Sequence, residues 1–158
     1  MKPGIGAFSI AIVFLAGIVP AHAQDYPSRS ITVIETHGRA ATPDAFAAVC
    51  DCAGDAGLLA HLEYFPTSGI RDCATASAIA VAAARDNGGV LCDLWHHVRG
   101  PDQGALRFGD APVLCVQVND VAPVADTDLR REMLHGRVLP GTGAADVAAL
   151  LRALRAAG

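Results

Sequence analysis

Asn87-Gly88-Gly89-Val90-Leu91-Cys92-Asp93-Leu94-Trp95-His96 is the stretch that decides the fold. Val90 to Trp95 has the continuous apolar character of a strand buried on both faces, broken by a single carboxylate, Asp93. Two similar runs flank it. Leu58 to Phe65 is ended by Pro66 and carries one charge, Glu63, while Val113 to Val118 is interrupted by Gln117. Helical stretches alternate with these runs. Thr42 as N-cap, Pro43 at the first helical position and Asp44 in the first turn start one helix, on which Phe46, Val49, Cys50 and Ala53 recur at helical spacing until Gly57. Asp72 caps a small-residue helix from Cys73 to Arg85, closed by Asn87-Gly88-Gly89. A helical turn is expected near Gln103 to Phe108. A long loop then follows Asn119-Asp120. The last helix, Ala145 to Ala156, carries Val147, Leu150, Leu151 and Leu154 on one face. Such alternation requires crossover connections, so the sequence predicts an α/β domain with a parallel sheet. Ile31 to Ile34 is a further strand candidate.

Ligands of parallel α/β sheets bind at the carboxyl ends of the strands. Glu63, Asp93 and Gln117 fall there, with Asn119 and Asp120 just beyond, so three successive strands deliver oxygen ligands to one end of the sheet. Mg²⁺ and Mn²⁺ prefer that ligand set. Each residue taken alone also fits a strand end making local hydrogen bonds. Two buried carboxylates together, however, need a cation or protons to offset their repulsion. His96 is a candidate substrate contact or acid/base, or else a loop cap. His97 reads as its solvated neighbour, and His61 as a half-buried structural histidine on the face of Glu63. Arg137 precedes the turn Pro140-Gly141-Thr142-Gly143. Its backbone amides are placed to receive phosphate or carboxylate, unless the turn is an ordinary one.

The N-terminus reads differently. Lys2, the apolar run Ile5 to Val19 and Ala21-His22-Ala23 have the layout of a cleavable signal peptide over residues 1–23, too short for a comfortable membrane span. Residues 24–41 read as a leader-derived linker and residues 42–158 as the domain. Beyond residue 23 the chain has eleven Arg, no Lys and sixteen acidic residues. A mildly acidic balance offers no footprint for nucleic acid, and the missing Lys excludes Schiff-base and P-loop lysine chemistry. No membrane association is expected after signal removal. Five cysteines, an odd number, leave at least one thiol unpaired. Cys50, Cys73, Cys92 and Cys115 sit where small core residues would serve, and Cys50-x-Cys52 lacks the gap of a zinc or redox pair.

Leu62-Glu63-Tyr64-Phe65-Pro66 with Ser68-Gly69-Ile70, then Asn87 to His96, Val116-Gln117-Val118-Asn119-Asp120 and Arg137-Val138-Leu139-Pro140-Gly141-Thr142-Gly143 together resemble the sugar phosphate isomerase/epimerase family of xylose isomerase-like TIM barrels. The resemblance spans about Thr42 to Gly158 and implies the C-terminal half of such a barrel, a partial (β/α)8 fold of parallel strands alternating with helices. It implies one divalent metal, Mn²⁺ or Mg²⁺, with Glu63, Asp93 and Gln117 as ligands and Gln117 standing where a His is common. It also implies His96 and Arg137 at the substrate, Glu63 as acid/base, and proton transfer next to a carbonyl of a small carbohydrate or hydroxy acid. A dehydratase or lyase on the same barrel is the near alternative.

Three departures stand out. Thr142 replaces the usual Glu of the turn, the family's closing Glu ligand would lie beyond Gly158, and a whole barrel takes roughly 250 residues. A fragment with open strand edges is expected to be weakly active or inactive, and pairing of those edges in a homo-oligomer would close them. Residues 1–34 resemble instead the start of tripartite-tricarboxylate-type periplasmic solute-binding proteins, which implies capture of a small carboxylate. The leader therefore points to the periplasm or secretion, and the barrel resemblance to the cytoplasm. A chimeric reading frame accounts for both, and a non-functional product of rearrangement is the remaining alternative.

Overall fold

The computed structural model describes residues 31–34, 42–102 and 105–157. The expected signal peptide, most of the linker, Gln103 and Gly104 lie outside them. Four parallel strands, β1 (Ile31–Ile34), β2 (Ala60–Glu63), β3 (Gly88–Asp93) and β4 (Val113–Gln117), lie side by side in chain order. Helices α1 (Pro43–Asp55) and α2 (Cys73–Ala83) make the first two crossovers. A sheet wound in one direction is the pattern of a barrel wall, whereas a doubly wound sheet reverses its order midway. Among the described residues no helix is long and apolar enough to cross a membrane.

Local chemistry starts both helices as expected. Thr42 Oγ1 accepts the Ala45 N–H at 3.2 Å, and the Asp72 carboxylate accepts that of Thr75 at 2.7 Å. Phe46, Cys50 and Ala53 bury the inner face of α1, joined in the core by Leu62, Val90 and Cys92. Other boundaries move. α2 closes on Ala84 in the left-handed region (φ 51°), and the glycines expected to close it belong to β3. Packing demands them: a Cβ on Gly88 would meet Cys50 Sγ at 2.8 Å, and one on Gly89 the Pro112 carbonyl at 2.6 Å. Leu94 and Trp95 open a helix, α3 (Leu94–Arg99), because the Asp93 carboxylate caps it by accepting the Trp95 and His96 N–H groups. Residues 105–108 form no helix. In α5 (Val147–Ala157), Leu154 is buried and Leu151 points outward.

Cys50, Cys73 and Cys92 are buried, while Cys115 is only half-buried because β4 is an edge strand of the sheet. Burial pushes the Cys73 and Cys92 thiols up to about 11, so both stay protonated near neutral pH.

The expected long loop contains a strand, β5 (Asp120–Val121), a helix, α4 (Leu129–His135), and a second strand, β6 (Arg137–Val138), antiparallel to β5. Asp120 holds this excursion together. Its buried carboxylate accepts N–H groups from Val121, Gly141, Gly143 and Ala145 at 2.8–3.0 Å. Burial pushes the carboxyl up, but the four donors outweigh it and hold it below the usual range. A depressed folded value contributes stability that is fully present above the usual aspartate value of about 3.9 and lost as pH falls through the folded value. Urea midpoints measured from pH 7 to pH 3 should therefore fall more steeply below pH 4 for the wild type than for Asp120→Asn. Parallel curves would refute the clamp.

Candidate metal centre

Glu63, Asp93 and Gln117 are the final residues of β2, β3 and β4, and Asp93 lies opposite Gln117 in register. The parallel sheet thus delivers three oxygen-bearing side chains to one rim. Asp93 is fully buried and Glu63 is 5% exposed, while Gln117 is exposed at the edge. His96 follows Asp93 by three residues in α3, and its Nε2 lies 3.5 Å from Glu63 Oε1. One ligand atom from each of Glu63, Asp93 and His96 falls within 4.8 Å of the others.

Arg137, the first residue of β6, completes the cluster. Its Nη1 donates to Asp93 Oδ2 at 2.5 Å, its Nη2 approaches His96 Nε2 at 3.2 Å and its Nε donates to the Met133 carbonyl. The guanidinium carbon lies 5.5 Å from the Trp95 ring centroid, within cation–π range. Asn119 Nδ2 donates to Asp93 Oδ1 at 3.0 Å. A cleft of about 540 Å³ opens on these groups, with Glu63, His96, Gln117 and Arg137 as its polar lining and Phe65, Met133 and Leu134 as its apolar one.

The donor set suits a divalent cation. Two buried carboxylates face one guanidinium, which leaves the group with a negative excess. Ligand bonds of roughly 2.1 Å would place neighbouring donors ~3 Å apart, a contraction that side-chain rotation can supply. His96 Nδ1 is buried without a hydrogen-bond partner, so the ring is held by its packing against Phe65 and Trp95 and by the contacts of Nε2.

The structure thus gathers Glu63, Asp93, His96 and Arg137, with Gln117 on the cleft wall. Four sequence expectations change. Asp120 is the buried clamp of the turn. The Gly141 and Gly143 amides, read as a possible anion site, are taken by that carboxylate from within the chain. His97 is fully buried, with its Nδ1 3.1 Å from the Tyr64 hydroxyl, because α3 turns it inward. His61 is buried rather than half-buried, and burial pushes its imidazole below the ordinary value against the opposing pull of Glu63.

The cleft residues Met133 and Leu134 escaped the sequence reading with α4. So did Glu132, which ties Trp95 Nε1 at 3.3 Å to Arg99 at 2.7 Å behind the site. Asp128 ahead of Leu129 was the available signal, since it caps α4 through the Arg130 and Arg131 N–H groups.

Parallel strands in chain order, with a carboxylate-rich rim at their carboxyl ends, define one wall of an α/β barrel. Residues 7–158 match the xylose isomerase-like TIM barrel family, and the chain belongs to it. That match begins within the stretch read as a signal peptide.

Solved structures agree on the fold. A xylose isomerase-like TIM barrel/4-hydroxyphenylpyruvate dioxygenase fusion protein superposes with a TM-score of 0.68 at 22% identity, covering 81% of this chain and 22% of that one. The IOLI protein with a binding zinc atom gives 0.61 at 27% identity, covering 73% and 42%. A xylose isomerase domain containing protein from Salmonella typhimurium gives 0.64 at 16% identity, covering 82% and 51%. The chain therefore spans about half or less of each of these proteins. No curated protein matches it.

Proposed function

We propose that Glu63, Asp93 and His96, with Gln117 as a further donor, hold a divalent cation, Mn²⁺ or Mg²⁺, at a site that moves a proton next to the carbonyl of a sugar or polyol. This is the reading of a sugar isomerase or epimerase. The observation that carries it is the buried meeting of two carboxylates and an imidazole at adjacent strand ends, open to a cleft with a guanidinium on its wall. The zinc named for the IOLI protein, 27% identical to this chain, supports it.

A bound cation supplies Lewis acidity at a substrate carbonyl oxygen. The chain supplies the rest. Glu63 lines the cleft and is otherwise buried, so its carboxylate can take a proton from a carbon beside the carbonyl and return it. Arg137 offers its N–H groups to substrate oxygens from the facing wall. Phe65, Met133 and Leu134 supply the apolar sides of the cleft.

Chelator-stripped protein titrated with Mn²⁺ by calorimetry should bind a single ion. Affinity should fall roughly tenfold or more in Glu63→Gln and Asp93→Asn, with helicity by circular dichroism retained. Loaded wild type should also exchange solvent deuterium into the carbon beside a ketose carbonyl, and Glu63→Gln should not. Equal Mn²⁺ affinity in wild type and both variants would overturn the reading.

A further inference from the structure

We infer that Arg137 is the built-in counter-cation of this site and competes directly with a divalent ion for His96 and Asp93. The inference rests on the cation reading above and adds how occupancy is controlled. A guanidinium can only donate hydrogen bonds, so in the contact at 3.2 Å from Arg137 Nη2 the His96 Nε2 atom is the acceptor. The Nε2 atom faces Glu63 and has one lone pair. That lone pair can serve the guanidinium or a cation, not both. A carboxylate oxygen has spare lone pairs and can be shared, yet Nη1 already sits against Asp93 Oδ2, where a second positive centre would meet direct repulsion.

The geometry also gives Arg137 somewhere to go. Its side chain is 30% exposed and lines the cleft, while Asp93 opposite is fully buried and cannot follow it. The guanidinium is planar and rigid, so leaving Asp93 and His96 swings the whole fork into the cleft and takes Nε off the Met133 carbonyl with it. The freed N–H groups then face the cleft, where a carboxylate, phosphate or hydroxyl oxygen of a ligand can take them. Cation loading and binding of an oxygen-rich ligand are thereby coupled through one side chain. Two buried carboxylates are meanwhile never left without a cation.

Calorimetric Mn²⁺ affinity tests this, with thermal scans of the same samples with and without Mn²⁺. Arg137→Gln should bind Mn²⁺ roughly tenfold or more tightly than wild type, within the usual range of coupling between two sites. Mn²⁺ should also raise its melting temperature by more. Arg137→Lys keeps the charge but cannot span Asp93 and His96 together, so it should fall between the two. Arg131→Gln removes the same charge from an exposed ion pair with Asp126 and should match wild type. Unchanged or weaker binding in both Arg137 variants, where wild type binds, would overturn the competition alone. Failure of every chain to bind Mn²⁺ would overturn the cation reading and this inference with it.

Discussion

Asp93→Ala is expected to destabilise the metal-free fold by about 3–4 kcal/mol, near the lower end for breaking a buried ion pair. Asp93 Oδ1 accepts from the Trp95 and His96 N–H groups and from Asn119, and Oδ2 takes Arg137. Alanine would strip the cap from α3, a loss of about 1 kcal/mol, and leave Asn119 and the guanidinium without their acceptor. Arg137 can turn toward water, which moderates the loss. Asp93→Asn keeps an oxygen for the cap and gives up the charge, so its loss should be about half as large. Urea denaturation in the presence of chelator measures both. Equal losses would show that the cap contributes nothing and that charge alone matters.

Gly143→Ala should destabilise the fold by about 3 kcal/mol or more, against about 1 kcal/mol for Gly141→Ala two residues away. A Cβ at Gly143 would run into the Val121 carbonyl and lie 2.5 Å from Asp120 Oδ1. Relief requires pulling the turn off the Asp120 clamp, so overpacking is joined by the loss of hydrogen bonds to a charged acceptor. Gly141 adopts φ 82° with open space around it, so alanine there carries only the penalty of a left-handed backbone. Because β6 precedes this turn, Gly143→Ala should also weaken the hold of Arg137 on Asp93. Similar urea midpoints for the two alanine variants would refute the clamp as the source of the difference.

The elements that were legible carry long apolar runs or strong caps. Thr42-Pro43 and Asp72 start helices through bonds to residues three positions on, a local event readable from spacing. α4 buries only Glu132 and so has no apolar stripe to announce it. α3 was hidden inside the run Val90 to Trp95, since continuous apolar character suits a buried strand and a buried helix equally. Glu63, Asp93 and Gln117 were legible as strand ends because each is the polar interruption of an apolar run. The partners that give them meaning were harder to assign: Asp93 and Arg137 are 44 residues apart.

The amino-acid sequence alone determined the alternation of strands and helices, the parallel sheet and the rim at which its carboxylates gather. These follow from burial patterns and caps, which act between near neighbours. The tertiary structure decided which polar residues share a site. It set Arg137 on Asp93 and His96, withdrew Asp120 to clamp the glycine-rich turn, and buried His97 against Tyr64. The first two depend on where the excursion after β4 folds back, and the third on how α3 turns His97 toward the residue that follows β2; residue spacing carries no record of either.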